Sequence, residues 1–555
     1  MTSAHRISCR TYLLILFASG ISSTSHAAGP GVDAGSLLNQ NEKELSQRKS
    51  VPPGVKPSAA KPSTKASSDE TTIQVSSFKF IGNTLLSEEA LNSVLSGFIN
   101  HELTLAQLKE AADVVVTNYR AAGWIAHAYL PRQEIQNGIV TIQIVEAIFG
   151  GAQLQGPSPK RMEANRLIKI AEKNLMKGQP LHADEIDRTL LLLDDLPGVG
   201  VTGNLVAGTK DGETNLALSI ADEAFVTGNA SFDNYGSRAT GAERITVNMS
   251  INSPAQLGDA LIINALKSRG SDYQRVSYGI PLGDYGWRLG LHASNLTYQV
   301  ITDEFKSLDP HGNATTAGWN ISYPLLRSQT KNLYFALSYE HKNFDNTSNN
   351  VSSSYNVRSY TASLNANRID NWGGGGGTNA GASITSGTNS STDSRYAKLN
   401  LNLGRLQSLG KDLNLYGAIS TQTANKNLDS SEKIYLGGSS GIRAFPSSEG
   451  GGSEGSVATL ELRKNLAHNV MLSGFYDYGW IKINHNNSAS SAANPNDYTL
   501  KGYGLSLAWQ PSLGAELKFT IAQRSGDNRG ALASGNDADG TKKITRAWLS
   551  AGIAF

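Results

Sequence analysis

The sequence predicts an α+β region followed by an all-β transmembrane barrel of sixteen antiparallel strands, and three observations predict it. Along residues 224–555 apolar side chains recur with period two, as in 244–251, 414–420, 505–508 and 546–555. That is the pattern of strands with one face toward lipid and the other toward a wet interior. Residues 72–221 carry a weak internal repeat in which strands and amphipathic helices alternate, the mark of two related small domains. The sequence has no run of about eighteen apolar residues, so a spanning helix is excluded.

Composition agrees with this reading. The chain has 555 residues and a formal net charge of +2, which points to no nucleic-acid partner. Only 39% of residues are hydrophobic, while Gly, Ser, Asn and Tyr are plentiful, as when only alternate residues meet lipid. Residues 1–28 read as a secretory signal peptide. His5, Arg6 and Arg10 precede a short apolar core near 12–17, and small residues at 25–28 offer cleavage after Ala27 or Ala28. Cys9 is the only cysteine and lies in that segment, so the mature chain needs no disulfide or thiolate metal site.

Residues 29–71 divide into two parts. Good helix formers over 36–48 carry a small apolar stripe at Leu37, Leu38 and Leu45. Residues 51–68 are Pro, Ser, Ala and Lys, an extended linker that cannot bury a core. The repeat follows, each copy in the order β-α-α-β-β. Copy one (72–147) has a strand at 73–80, a helix from Ser87, a helix at 104–122, and strands at 124–130 and 138–147. Its second helix opens on a capping box of Thr104 and Gln107 and buries Leu108, Ala112, Val115, Tyr119 and Ala122. Copy two (148–221) has a strand at 148–154, helices at 159–174 and 183–195, and strands at 199–207 and 213–220.

Seventeen alternating segments can be drawn over residues 222–555. Both barrel ends should lie on the side of the repeat domains, which requires an even number. Segment 432–438 is short and runs straight into a glycine-rich loop, so it is set aside. Connections after even strands are short (253–258, 282–286, 407–412, 465–469), and several after odd strands are long and polar (344–355, 484–497, 525–543). Short inner turns and long outer loops are the asymmetry of outer-membrane barrels.

The chemistry is sparse. Ten histidines fall at no metal-ligand spacing within one element. The glycine run 373–377 lacks the lysine and helix of a phosphate cradle, and Ser439-Ser440 lacks a nucleophile elbow. No enzymatic activity and no cofactor is expected. What stands out is Leu436-Gly-Gly-Ser-Ser-Gly-Ile-Arg-Ala-Phe-Pro446 together with Phe475-Tyr-Asp-Tyr-Gly479. Gly437 and Gly438 let the backbone turn sharply and pack closely, presenting Ile442, Arg443, Ala444 and Phe445. In the second segment Phe475, Asp477 and Gly479 share the lumen face, while Tyr476, Tyr478 and Trp480 suit the membrane interface. Glu461 shares a face with Thr459 and Arg463, opposite Ala458, Leu460 and Leu462, and should also point inward. An exposed arginine–carboxylate pair there would be worth only ~0–1 kcal/mol and would position the loop, not hold the barrel.

These two segments resemble the loop and strand motifs of the two-partner-secretion outer-membrane transporters, the haemolysin/haemagglutinin secretion-activation type. The loop departs from the family pattern at Ala444, where the family has glycine. Phe80-Ile-Gly-Asn-Thr84, Gly123-Trp-Ile-Ala-His127 and Leu130-Pro-Arg-Gln133 resemble landmarks of periplasmic POTRA domains, and terminal Phe555 resembles the assembly signal of bacterial outer-membrane barrels. The resemblance implies two POTRA-like domains, a helix at 36–48 lying in the pore as a plug, and a loop over about 428–456 whose Arg443 meets Asp477. It implies an outer-membrane translocator for a large unfolded exoprotein bearing an N-terminal secretion domain, and places the repeat domains in the periplasm. Outer-membrane lipid and the barrel-assembly machinery would be its other partners, and the chain would act as a monomer. The alternatives are an assembly factor of the same superfamily, which generally carries more repeat domains, and a passive porin, which would not explain the repeats.

Overall fold

The computed structural model describes residues 32–48, 72–210, 212–487, 495–511 and 514–555. The signal-peptide and linker expectations lie outside the described residues. Sixteen antiparallel strands, from Val226–Asp233 to Thr545–Ala554, close into a barrel in sequence order. The closing seam is short, pairing Ser550–Ala554 with Asn229–Asp233. Phe555 exchanges two backbone hydrogen bonds of 2.9 Å with Gly228, and its ring is exposed.

Period two has a direct physical cause here. Ile245, Val247, Leu399, Leu401, Leu403, Leu460, Leu462, Leu505, Leu507 and their counterparts form an exposed apolar band, which only lipid can cover favourably. Trp319, Tyr339 and Tyr360 stand directly opposite one another on three neighbouring strands, with ring centroids 6.3 and 4.8 Å apart. Segment 432–438 stays out of the barrel: Ile434–Tyr435 pairs only with Gly451–Gly452.

One connection differs from expectation. Residues 344–355 are not a long loop; strands Lys331–Ser348 and Val351–Asp370 run on to a two-residue turn at Asn349-Asn350. Both turn residues have positive φ, the conformation a tight hairpin demands and asparagine tolerates. Above the membrane no lipid imposes alternation, so a polar ribbon looks like loop in sequence.

The two α/β units precede the barrel. In the first, Ser77–Ile81 runs parallel to Ile139–Glu146, which pairs antiparallel with Ala126–Tyr129. The expected strand 73–80 is broken at Ser76, whose N–H donates to Gly138 O at 2.8 Å and hydroxyl to Asn137 O at 2.6 Å. Ile73–Val75 is thereby diverted to pair with His101–Leu103. The Thr104–Gln107 capping box is formed, with Leu108, Ala111, Ala112, Val115 and Tyr119 buried; Ala122 instead caps the helix at the surface. Glu146 ties this unit together, accepting from Leu85 N at 2.8 Å and from Tyr119 Oη at 2.8 Å, with Thr84 as a further donor. Burial opposes its charge, but these donors outweigh that and hold its carboxyl below the usual range.

The second unit has Ile148–Leu154 parallel to Glu213–Asp222, with Val199–Ala207 antiparallel beside it. Its first helix starts at Ala164 and not 159, because Lys160 N and Arg161 N are held by the Asp222 carboxylate. The units are stitched at 124–125: Ile125 N donates to Leu181 O, Leu181 N to Ala147 O, and Ala147 N to Ile125 O. The second unit rests on the short turns of the barrel. Arg327 grips the Asp195 carboxylate with two bonds of 2.8 Å, and Arg288 reaches Asp195 O at 3.0 Å. The short turns therefore face the α/β units, and the 349–350 turn lies at the opposite end.

Candidate functional site

Two elements fill the barrel lumen, the loop around Arg443 and the helix Ala34–Arg48. The loop turns on itself through short backbone bonds: Ile442 N to Leu436 O at 2.7 Å, Phe445 N to Ile442 O at 3.0 Å, and Gly438 N to Phe445 O at 3.1 Å. This fold-back buries Leu436, Ile442, Ala444 and Phe445 with Phe475, Ile481, Tyr498 and Leu500 from the barrel wall. Close approach needs glycine on the strands. A Cβ at Gly479 would lie 2.4 Å from Ile442 Cδ1, and one at Gly502 2.6 Å from the Ala444 methyl. Gly502 thus leaves the space that Ala444 fills, and Ala444 is absent from the positive-φ residues, so alanine costs no backbone strain here.

At the apex Arg443 is bound from every side. Nε and Nη2 reach the two Asp477 oxygens at 2.9 and 2.6 Å, and Arg443 N donates to Asp477 Oδ2 at 3.1 Å. Nη1 donates to Glu461 Oε1 at 2.6 Å. The guanidinium lies 3.3 Å from the Phe475 ring centroid. Thr459 Oγ1 donates to Asp477, and Arg463 holds the other Glu461 oxygen at 2.7–2.8 Å. The structure therefore brings Arg443, Asp477, Glu461, Phe475 and Gly479 together, with the loop residues Gly437, Gly438, Ile442, Ala444 and Phe445 supporting them. Phe555 stands apart at the seam.

The environment departs from the sequence expectation. Asp477 is 0% exposed, Arg443 6% and Glu461 8%, so this is a desolvated cluster and not an exposed pair on a wet wall. Residues that sequence reasoning passed over complete it. Trp548 Nε1 donates to Arg443 O at 2.7 Å, and Arg524 lies 4.8 Å over the Phe445 ring. Glu449 accepts from Asn528 at 2.8 Å and from Ala538 N at 2.7 Å, which seats the 525–544 connection on the loop. A tryptophan at an inward position of the last strand was the one available signal.

The helix is attached differently. Asp33 and Ser36 cap it reciprocally at 3.0 and 2.8 Å, which starts it at Ala34, two residues before the sequence reading. Ala34, Leu37 and Leu38 pack against wall residues including Leu296, Tyr298, Phe344 and Val357. Further along, Glu42 pairs with Arg275 at 3.0 Å and Glu44 with Arg244 at 2.7 Å. Asn39 donates to Ser431 O and Lys433 O at 2.9 Å, and Gln40 to Ser448, so the helix also touches the flanks of the arginine loop. Glu42 and Glu44 carried no local signal, since their partners lie 233 and 200 residues away.

Residues 212–508 match the family model for the haemolysin secretion/activation proteins ShlB/FhaC/HecB, and residues 73–147 match the ShlB-type POTRA domain. The chain belongs to this family. It is thus an outer-membrane transporter of two-partner secretion, with its POTRA domains in the periplasm. It is 26% identical over 531 residues to the haem/haemopexin transporter protein HuxB of Haemophilus influenzae strain 86-028NP, covering 89% of this chain and 92% of that protein. To the outer membrane transporter CdiB of Dickeya dadantii it is 22% identical, covering 75% and 77%. The solved structure of CdiB from Escherichia coli shares the fold with a TM-score of 0.70 and 19% identity, covering 96% of this chain and all of that one. An assembly-factor reading is not favoured by these matches. Family members are transporters, not enzymes.

Proposed function

We propose that this transporter secretes one large exoprotein in an extended state, capturing its N-terminal secretion domain at the POTRA tandem and passing it through the barrel without nucleotide energy. The mature chain divides at about residues 72, 148 and 222, after a signal peptide over 1–28. The helix 34–48 is a plug that leaves during passage, while the arginine loop stays docked as a fixed part of the wall. The observation that carries this reading is the contrast inside one lumen: a loop whose own arginine is desolvated between two carboxylates, against a helix entering at the chain's N-terminal end that pairs through part-exposed glutamates. Arg443, Asp477 and Glu461 then form a lock that fixes the loop's direction as well as its distance. The transporter works as a monomer, with lipid on its apolar band and Phe555 read by the barrel-assembly machinery.

The test is deletion of residues 73–147 in the native host. The exoprotein should vanish from the medium while a heat-modifiable barrel remains in the outer membrane, because the barrel closes its own strand edges. An unchanged set of secreted proteins would refute capture by the first POTRA domain.

A further inference from the structure

We propose that residues 351–355, at the outer mouth of the barrel, are a docking strand to which an extended segment of the emerging exoprotein adds as it leaves the pore; this rests on the secretion reading above. Strands Lys331–Ser348 and Val351–Asp370 pair along their length, from Lys331↔Arg368 to Ser348↔Val351. The next strand, Gly376–Asn389, joins Val351–Asp370 only from Val357↔Asn389 inward. Residues 351–355 therefore have a strand partner on one side alone. The opposite side of the hairpin is covered, since Asn349 N donates to Leu308 O at 2.6 Å.

The open side carries real hydrogen-bonding groups. At Asn356 they are still used: its N–H donates to Ser390 Oγ at 2.8 Å, and its carbonyl accepts from Ser390 N at 3.0 Å. Ladder groups alternate in direction along an antiparallel strand, so the N–H and C=O of Ser354 and Ser352 point to that same side. No described residue bonds to them there. Exposed edges are normally blunted by lysine, proline or a bulge. Val351-Ser-Ser-Ser-Tyr355 has none of these, and Val351 is 71% exposed.

The position commits the edge to one occupant. Tyr355 and Phe344 are register partners with ring centroids 5.1 Å apart; Phe344 belongs to the buried cluster that receives Leu37 and Leu38 of the helix, and Tyr355 packs against it. Asn346, three residues before the hairpin turn, accepts from Ala34 N at 3.1 Å. The edge is thus continuous with the wall the helix covers, and a chain taking the helix's place leaves the barrel against it. An edge reads backbone and not side chains, which suits an extended client of any sequence. Holding one strand outside the membrane would also oppose its retreat.

The test is the double variant Ser352→Pro/Ser354→Pro in the full-length protein in its native host. Of the backbone donors it removes only those on the open side, leaving those that pair with Lys331–Ser348. The serine hydroxyls that bond Thr347 and Asp345 are lost with them; Ser352→Ala/Ser354→Ala reproduces that loss with the N–H groups intact and should leave secretion at the wild-type level. In the proline variant, exoprotein in the medium, normalised to folded barrel, should fall several-fold, with Ser352→Thr/Ser354→Thr at the wild-type level. In parallel, a photocrosslinking amino acid at Ser354 of the otherwise unaltered chain should yield an adduct with the protein that disappears from the medium on deletion of residues 73–147. Wild-type secretion by a proline variant that inserts normally would overturn the proposal, as would adducts only with a second copy of this chain. If deleting the whole transporter removed no protein from the medium, the secretion reading itself would fall, a result separate from either of these.

Discussion

The arginine loop and the N-terminal helix occupy the same lumen, yet they are held by different physics. The loop is continuous with barrel strands at both ends and buries its own apolar cluster around Ile442, Ala444 and Phe445. Its Arg443 sits between two carboxylates, Asp477 fully buried. Removing one partner of such a pair strands an uncompensated charge, at a cost of ~3–5 kcal/mol. The helix has apolar contact mainly at its start. Its later pairs use Glu42, Glu44 and Arg275 with side chains 18–21% exposed, whereas Arg244 is 5% exposed but keeps Asp233 as a second partner. Loss of a helix glutamate thus strands no dry, unpaired charge at Arg244, and partial hydration of the glutamates brings each pair toward ~0–1 kcal/mol. One lumen thus holds two elements by contacts of different kinds, and on the function proposed above the loop is wall and the helix stopper.

The largest effect is expected from breaking the wall. Arg443→Ala should abolish most secretion while the barrel still folds and inserts, and hydrogen exchange over 436–450 should lose its protection. Arg443→Lys should rescue poorly, because an ammonium offers no planar fork to Asp477. Asp477→Ala should match it, and the double variant should be little worse than either single one. Additive losses of secretion would break the pairing.

Next in size is removal of the stopper. Deleting residues 29–68 should raise single-channel conductance in planar bilayers and leave barrel assembly intact. Unchanged conductance would mean that the helix does not obstruct the pore. A smaller effect is expected from weakening it in place. Glu42→Gln/Glu44→Gln should increase the frequency of open events by several-fold, in line with ~1–2 kcal/mol lost from two pairs. Raising salt should narrow the difference from wild type, since these pairs are partly screened. The smallest effect tests the loop's one departure from its family. Ala444→Gly should lower stability by less than ~1 kcal/mol, mostly by loosening the unfolded chain, with secretion near wild type; a large loss would show that the methyl against Gly502 positions Arg443.

Barrel strands were legible because lipid acts on each strand locally, residue by residue. The inward set Phe475, Asp477, Gly479 and the outward set Tyr476, Tyr478 follow from parity alone. So does the helix Leu105–Ala121, where Thr104 and Gln107 bond each other's backbone within one turn. Beyond the membrane that pressure ends, and the hairpin at Asn349-Asn350 reads as loop although its pairing continues unbroken.

What the sequence by itself determined about this protein is the order of its parts, the parity of its strands and the residue types able to meet in the lumen. Tertiary structure alone decided that Arg443 and Asp477 meet in a dry site, that Trp548 closes over the loop, and that Glu44 reaches Arg244. The reason is physical. Alternation and capping act over a few residues, whereas desolvation depends on which distant segments exclude water from a charge, and no local pattern encodes that.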